Sequence, residues 1–387
     1  MRSLETYDPK ALARQAEHTA ERALAHNPVL VAAAVAALVT MCFVPPDASY
    51  ASYFDWHTLV CLFCILAVLA AIDSCGLLEF TAHAIVARVN STRALVYALV
   101  AVTLGCSMVL SNDMTLITVL PLALALLKSV HREREVPFAF IMITLTANLG
   151  GMLLPFGNPH NLYLYSIYHL TFGQFITTMA PPLILSMALV FACCARVRKE
   201  EFHFRDSDPI KLPKHHAACY LVLFGVCIAM TLNAIPYALG GVLVVAVLAV
   251  VDRDVFAKTD FPLILTFVCF FVFSGNVARI PAVADFFSQL VSQGAFLATL
   301  ASSQVISNVP SAILISHFSD DWAGIALGSN IGGVGTPISS LATLITLRQF
   351  QKAGCGSMGP FLARFEAYNF AFLAVVAAFE MLVMGVS

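Results

Sequence analysis

Stretches of roughly 20 apolar residues recur along the whole sequence, and short polar segments that contain most of the lysines and arginines separate them. Clear examples are residues 57–78, 174–195, 261–279 and 361–386. Apolar residues make up 59% of the chain and charged residues only 11%, which is far outside the composition of soluble domains. Since helices satisfy their own backbone hydrogen bonds in lipid, the sequence predicts an all-α polytopic membrane protein without a soluble module.

One apolar stretch, residues 94–127, is too long for one membrane span and barely long enough for two. Basic residues flank it, with Arg93 before it and Lys128 after it. The positive-inside rule places both ends in the cytoplasm. We therefore predict a re-entrant helical hairpin whose tip, at Ser111-Asn112, stops inside the protein, where irregular backbone is tolerated only if it is buried or lines a wet cavity.

A second stretch of similar length, residues 282–318, has a tip of the same chemistry at Ser307-Asn308. Its flanks are acidic rather than basic, so we predict a second hairpin that enters from the opposite face of the membrane. Between the two stretches lies a loop, residues 196–216, that is rich in lysine, arginine and histidine. This loop is the predicted cytoplasmic linker between two halves of the molecule.

The two halves also share sequence motifs. The Ser-Asn tip at position 111 recurs at position 307, and an Asn-x-Gly-Gly motif, followed by Pro after three residues, recurs at positions 148 and 330. The motif residues are Ser111, Asn112, Asn148, Gly150 and Gly151 in the first half, and Ser307, Asn308, Asn330, Gly332 and Gly333 in the second. Because the order is preserved, we predict two inverted repeats, residues 29–195 and 217–387, each with a hairpin and a broken transmembrane helix. A cytoplasmic N-terminal segment, residues 1–28, precedes them.

Glycines and prolines interrupt an apolar helix in each half, and such a break favours ion and solute binding. An unpaired backbone group is costly in lipid, so a broken span needs a compensating partner. Helix N-termini offer N–H groups and partial positive charge to an anion, while unwound carbonyls offer partial negative charge to a cation. Serine and asparagine at a hairpin tip add uncharged oxygen ligands, although such residues also serve as ordinary N-caps of the following helix.

Asp113, next to the first tip, is a carboxylate that the hairpin places at membrane depth. A charge there is expensive and generally functional, so Asp113 is a candidate for binding a cation or carrying a proton. The alternative is that it caps the helix predicted over residues 114–127 from a wet cavity. Val309 stands at the corresponding position of the second tip, so the two tips differ in charge.

Several other function classes are disfavoured. A net charge of −2 offers no basic surplus for nucleic acid, and the sequence has no glycine-rich Lys-Ser/Thr loop for nucleotide binding. It contains no His-Glu-x-x-His motif, and its 11 cysteines are scattered without paired metal-ligand spacing. We therefore predict a transporter rather than an enzyme, with no cofactor and with Na⁺ as the one metal ion to consider.

These motifs resemble the ion transporter superfamily, which includes arsenite permeases, sodium/proton antiporters of the same fold, and divalent-anion:sodium symporters with their citrate-transporter relatives. Residues 111–113, Ser-Asn-Asp, followed by Pro121, look like the Asn-Asp hairpin of the permeases. Residues 147–161 are similar to the family pattern Ala-Asn-x-Gly-Gly…Gly-Asn-Pro-x-Asn, and residues 336–344 look like the arsenite-permease version of the second motif. The resemblance covers most of the chain.

The resemblance implies a homodimer in which a scaffold domain holds the interface, while the hairpins and broken helices move through membrane lipid as an elevator-type transport domain. It also implies the site residues. One cation site would involve Ser111, Asn112, Asp113, Asn148, Gly150 and Gly151, and its symmetry mate would involve Ser307, Asn308, Asn330, Gly332 and Gly333. The substrate site would involve Asn112, Thr115, Asn158, Pro159, Asn308, Thr336 and Pro337. Dicarboxylate symporters have Ser-Asn-Thr at both tips, so Asp113 and Val309 leave proton coupling and cation antiport open.

The sequence thus favours a secondary active transporter that moves a small anion, preferably a carboxylate, coupled to Na⁺ or H⁺. Three alternatives remain: a sodium/proton antiporter that uses Asp113, an arsenite-type efflux permease, and a passive channel. The channel is disfavoured because opposed hairpins with closed tips suit alternating access better than an open pore. The expected location is a bacterial inner (plasma) membrane, with the N-terminus in the cytoplasm.

Overall fold

The computed structural model describes residues 27–77, Phe80, 89–202 and 214–385. Within these ranges the chain is helical, with two short 3₁₀ segments and one isolated antiparallel bridge between Ser91 and Glu201. The predicted N-terminal segment lies outside the described residues except for its last two positions, and residues 203–213 of the predicted linker also lie outside them. The all-α prediction is confirmed for the described part of the chain.

Seven helices are described in the first half: α1 Pro28–Phe43, α2 Trp56–Ser74, α3 Thr92–Val109, α4 Asn112–Ser129, α5 Val136–Gly150, α6 Pro159–Ile167 and α7 Phe172–Cys194. Proline occupies a first-turn position of α1, α5 and α6, where its missing N–H costs little. Thr171 precedes α7 in a capping box, since its hydroxyl accepts the Gln174 N–H and the Gln174 side chain accepts the Thr171 N–H. Local sequence therefore helps to set where these helices begin.

Ten helices are described in the second half: α8 Lys214–Thr231, α9 Tyr237–Val251, α10 Val255–Lys258, α11 Phe261–Arg279, α12 Pro281–Ser292, α13 Ala295–Ile306, α14 Asn308–Ile315, α15 Trp322–Gly332, α16 Leu341–Ala353 and α17 Met358–Met384. The first of these helices already begins inside the predicted linker. Asp260 caps α11, with its carboxylate accepting the Leu263 N–H at 3.1 Å. The short α10 and this cap lead the chain into a span that forms one wall of the site described below.

Six of the described helices, α2, α3, α4, α7, α11 and α17, are at least 18 residues long and apolar enough to cross a membrane. Large apolar side chains lie on the outer surface, among them Leu38, Val250 and Leu382, which are 62%, 86% and 83% exposed. Such a surface suits lipid rather than water. The described fold is that of a polytopic membrane protein, as predicted.

Each predicted hairpin contains two consecutive helices that meet at a Ser-Asn tip. In the first hairpin, α3 and α4 have 18 residues each, and in the second, α13 and α14 have 12 and 8. The stretch predicted as the second hairpin, residues 282–318, also contains most of α12, which has no buried residue. Gly294 separates α12 from α13 with a φ of 123°, a conformation that glycine adopts without strain.

Each half contains an eight-residue unwound segment between two helices. Residues 151–158 separate α5 from α6, and residues 333–340 separate α15 from α16. Both segments begin at the second glycine of the repeated motif and contain its proline. The predicted breaks in the two spans therefore lie at equivalent positions of the sequence.

The first arm of each hairpin packs closely on the helix before the break, α3 on α5 and α13 on α15. A Cβ added to Gly150 would lie 2.4 Å from Ser107 Oγ, and one added to Gly332 would lie 2.8 Å from Ser303 Cβ. Glycine therefore permits the close approach of the two helices in each half. The packing places both tips next to the unwound segments.

Candidate transport site

One cavity brings together both hairpin tips and the ends of both unwound segments. It contains about 550 Å³ of space between its walls, including the part that opens to the outside. The lining residues are Val29, Ser111, Asn112, Asp113, Asn158, Pro159, His160, Leu263, Thr266, Phe267, Phe270, Ser307, Asn308, Val309, Pro310, Ser340 and Leu341. Motifs that lie far apart in the sequence thus form one site, in which polar tips face apolar walls from α1 and α11.

Four helices begin at this cavity. The first residues of α4, α6, α14 and α16 are Asn112, Pro159, Asn308 and Leu341, and all four line the cavity. The first N–H groups of a helix have no partner within that helix, and its N-terminus carries partial positive charge. The convergence of four N-termini suits the cavity to an anion, although no lysine or arginine is among its described lining residues.

The first tip has an unpaired acceptor. Ser111 caps α4, with its hydroxyl accepting the Met114 N–H at 3.4 Å. Asn112 Nδ2 donates to Asn148 Oδ1 at 3.3 Å, whereas Asn112 Oδ1 is buried and has no hydrogen-bond partner among the described residues. A Cβ added to Gly151 would lie 2.5 Å from this oxygen, so the unwound segment passes beside it. An unpaired buried acceptor costs about 1–3 kcal/mol, which a bound cation or donor would recover.

Asp113 lies in the first turn of α4, and the cap of that helix is Ser111. The alternative that Asp113 caps the helix is therefore wrong. Asp113 borders both the tip cavity and a neighbouring cavity of about 840 Å³, which Asp260 and Arg348 also line. It is the one carboxylate among the described lining residues of the tip cavity, and it stands between that cavity and the charged one beside it.

At the second tip, the Ser307 hydroxyl, the Asn308 N–H and Asn308 Oδ1 all have partners within the second half. Ser307 has a φ of 77° and does not cap α14, and its hydroxyl instead donates to the Ser339 carbonyl at 3.2 Å. The Asn308 N–H donates to the same carbonyl at 3.0 Å, and Asn308 Oδ1 accepts the Val309 N–H at 2.9 Å. The second tip is thus tied to the end of its own unwound segment.

Among the hydrogen bonds between the halves, two are counterparts of each other. Asn158 Nδ2 donates to Asn330 Oδ1 at 3.2 Å, and Ser340 Oγ donates to Asn148 Oδ1 at 3.0 Å. Positions 330 and 340 lie 182 residues after positions 148 and 158, the spacing of the repeated Gly-Gly motif. The residue before each post-break helix is therefore held by the motif asparagine of the other half.

Gln304, near the end of α13, is a site residue that the motifs do not include. Its Nε2 donates to the Gly332 carbonyl at 2.8 Å and to the Val334 carbonyl at 3.2 Å, and its Oε1 accepts the Thr336 N–H at 3.0 Å. One side chain thus holds three backbone groups, one at the end of α15 and two in the second unwound segment. A glutamine inside an apolar arm, three residues before the tip, is the sequence signal that points to it.

The predicted substrate residues divide into two groups. The cavity lining includes Asn112, Asn158, Pro159 and Asn308, and does not include Thr115, Thr336 or Pro337. Of the predicted cation residues, the lining includes Ser111, Asn112, Asp113, Ser307 and Asn308, while Asn148, Gly150, Gly151, Asn330, Gly332 and Gly333 lie outside it. The glycines still adjoin the tips, since a Cβ on Gly333 would lie 2.8 Å from Asn308 Nδ2. Their roles in binding stay predictions.

Known proteins resemble this chain over most of its length. Residues 21–320 match the citrate transporter family. The inner membrane protein YbiR of Escherichia coli strain K12 is 30% identical over 79% of this chain and 83% of its own length. An uncharacterized transporter of Methanocaldococcus jannaschii is 30% identical over 76% of this chain and 81% of its own. A 46 kDa membrane protein of Mycobacterium leprae is 21% identical over 79% of this chain and 81% of its own.

The membrane-length helices and these relatives define a polytopic membrane transporter. The match to the family includes both hairpin tips and ends before the second unwound segment. The chain belongs to the citrate transporter family, which confirms the predicted resemblance to ion transporters of the citrate type.

Proposed function

We propose that this chain is a secondary active transporter that moves a small anion, preferably a carboxylate, with a Na⁺ or H⁺ gradient as the energy source. The observation that carries the proposal is the cavity at which four helix N-termini meet. An anion in this cavity gains the partial positive charge of the helix N-termini without a fixed lysine or arginine, so it can be bound and then released. A carboxylate suits the cavity because its two oxygens accept several hydrogen bonds at once.

The coupling ion acts beside the anion in this proposal. A cation near the unpaired Asn112 Oδ1, or a proton on Asp113, offsets the charge of the anion and so favours their joint binding. Both groups belong to the first tip, and Asn308 of the second tip helps to bind the anion. Transport then requires both tips to close on the same cavity.

The two halves form inverted repeats in this proposal, which the reciprocal hydrogen bonds of Asn158 and Ser340 support. The hairpins and broken helices move together as an elevator-type transport domain against a scaffold that forms a homodimer. The relative in Escherichia coli is named as an inner membrane protein, which supports a bacterial inner membrane as the location. The N-terminus is assigned to the cytoplasm from the basic flanks of the first hairpin.

A sodium/proton antiporter is the second candidate. The position of Asp113 favours it, because this carboxylate borders both the tip cavity and the neighbouring charged cavity. A carboxylate with access to two cavities is suited to exchange a proton for a cation. An antiporter needs no organic substrate, whereas the anion transporter does, so the requirement for a carboxylate distinguishes the two candidates.

Proteoliposomes that contain an internal pH dye distinguish the candidates. We expect an imposed Na⁺ gradient to cause no proton movement until a carboxylate such as citrate or succinate is added, after which flux or current begins. Protein-free vesicles control for leak, and Asn308→Ala controls for the site, since it should lose the response to carboxylate. Sodium-driven proton flux without any carboxylate would contradict the anion transporter and establish the antiporter.

A further inference from the structure

Two carbonyls where α15 passes into the second unwound segment already have a donor. Gln304 Nε2 lies 2.8 Å from the Gly332 oxygen and 3.2 Å from the Val334 oxygen. An amide NH₂ group carries partial positive charge and donates to carbonyls, which is the part that a bound cation plays at unwound backbone. Gln304 thereby supplies the compensating group that a broken helix needs in lipid.

The first half has no such group at the equivalent position, which Met108 occupies 196 residues earlier in the sequence. A thioether has no hydrogen-bond donor. Asn161 reaches the first unwound segment from α6 instead, with its Nδ2 at 3.3 Å from the Gly151 oxygen and 3.4 Å from the Met152 oxygen. These contacts are longer than the shorter bond of Gln304. Independently of them, Asn112 Oδ1 has no hydrogen-bond partner among the described residues, although Asn112 is only 7% exposed.

We propose that the two predicted cation sites are unequal and that the chain binds a single coupling cation, in the first half. There, Asn112 Oδ1 faces the unwound segment and needs a partner. In the second half, the Gln304 side chain takes the place of a second cation. It holds the second unwound segment in the conformation that a bound cation would otherwise stabilise. This inference rests on the proposed function, because it concerns the ion that drives transport. Gln304 is a positioning residue, since it acts on the tip through the unwound backbone.

Na⁺ binding to the purified full-length protein in detergent micelles tests the proposal. The thermal unfolding midpoint is measured over a range of NaCl concentrations, with choline chloride holding the ionic strength constant. We expect the midpoint to rise, with a limiting dependence on log[Na⁺] that corresponds to about one bound ion. Asn112→Ala should abolish this rise, and Asn308→Ala should retain it.

Two substitutions of Gln304 sharpen the test. Gln304→Glu replaces the donor with a carboxylate beside two carbonyls, so we expect a lower midpoint without Na⁺ and a steeper limiting dependence on log[Na⁺], which approaches about two bound ions. Gln304→Met copies the first half, and we expect it to lower the midpoint without Na⁺ because the carbonyls lose their donor. Met108→Leu is the matched control and should leave the Na⁺ response unchanged.

Three outcomes would overturn the inference. The first is a two-site response of the native protein that Asn308→Ala reduces to one site. The second is an unchanged Na⁺ response in both Gln304 variants. The third is a native midpoint that ignores Na⁺ but rises with citrate, which leaves anion transport in place with H⁺ as the driving ion. The proposed function fails separately, when carboxylates neither raise the midpoint nor cross the vesicle membrane.

Discussion

The two hairpin tips share a Ser-Asn pair but pair their polar groups in different ways. At the first tip, Ser111 caps its helix and Asn112 reaches the broken helix, leaving one oxygen unpaired. At the second tip, Ser307 and Asn308 both bind the Ser339 carbonyl, and Asn308 Oδ1 is engaged. A repeated motif therefore marks equivalent positions without ensuring equivalent hydrogen bonds. The difference suggests that the first tip depends on a bound partner and the second on its own backbone.

The largest expected effect on stability concerns the motif asparagines. Asn330 Nδ2 donates to Asn161 Oδ1 at 2.7 Å and to the Ala326 carbonyl at 2.8 Å, and its Oδ1 accepts from Asn158. We expect Asn330→Ala to lower the free energy of unfolding by about 3 kcal/mol, because several buried groups lose their partners. Asn148→Ala should cost less, about 2 kcal/mol, since Asn148 makes two side-chain hydrogen bonds.

Unfolding in a series of SDS fractions, followed by circular dichroism, measures these changes. Ser292→Ala on the exposed helix α12 is a suitable control and should change the free energy by less than about 0.5 kcal/mol. Equal losses for both asparagines would show that the two halves depend on their cross-links to the same degree. Losses no larger than that of the control would show that the reciprocal hydrogen bonds do not stabilise the arrangement of the tips.

The glycines beside the tips offer the next comparison. A Cβ on Gly151 would lie 2.5 Å from Asn112 Oδ1, and one on Gly333 would lie 2.8 Å from Asn308 Nδ2. Both neighbours are side-chain atoms that can move, but Asn112 must then leave its bond to Asn148. We expect Gly151→Ala to lower the free energy of unfolding by about 2 kcal/mol and Gly333→Ala by about 1 kcal/mol.

Gly105→Ala is the matched control for these variants, because nothing lies within 4 Å of a Cβ at that position of α3. It should be neutral or stabilising by up to about 1 kcal/mol, as expected for alanine in a helix. The same preparations report Na⁺-dependent stabilisation, which Gly151→Ala should lose and Gly333→Ala should keep. A loss of the Na⁺ response in Gly333→Ala alone would reverse the assignment of the two tips.

The sequence predicted the tips and the breaks well because short-range chemistry determines both. Ser-Asn pairs and Gly-Gly motifs recur in order, and the residues of both tips do meet at one cavity. The role of Gln304 could not be predicted, because its partners lie 28 to 32 residues away and only packing of α13 on α15 brings them together. The separation of α12 depends on a positive φ at Gly294, which the apolar pattern does not reveal.

Asp113 and Val309 provide a comparison of charge at the two tips. Asp113 borders both cavities, whereas Val309 lines the tip cavity alone. We expect Asp113→Asn to change the free energy of unfolding by less than about 1 kcal/mol, because Ser111 rather than Asp113 caps α4. Transport in proteoliposomes should nevertheless lose its dependence on pH or Na⁺. An unchanged ion dependence would exclude Asp113 from coupling and leave Asn112 as the site of the cation.

The smallest expected effect lies outside both tips, at the ion pair between Asp47 and Arg279. Asp47 follows α1 and Arg279 ends α11, and hydrogen bonds of 3.1 and 2.6 Å join their exposed side chains. The hydrogen bond from Arg279 lowers the pKa of Asp47 to about 2. An unfolded chain titrates Asp near pH 4, at about its ordinary value. The pair therefore stabilises the fold above that pH, and the contribution disappears as the pH falls through 2.

We expect Asp47→Asn to lower the thermal midpoint slightly at pH 6, to have less effect as NaCl is raised, and to lose its effect near pH 2. Asp254→Asn, at an exposed position without an ion pair among the described residues, is the control. The helices that this pair joins, α1 and α11, form the apolar wall of the cavity and belong to neither tip. If the variant shifts the midpoint but keeps the Na⁺-dependent stabilisation, the unequal Na⁺ binding of the two halves depends on the tips alone. A changed Na⁺ response would mean that the wall also sets how tightly the first tip holds its ion.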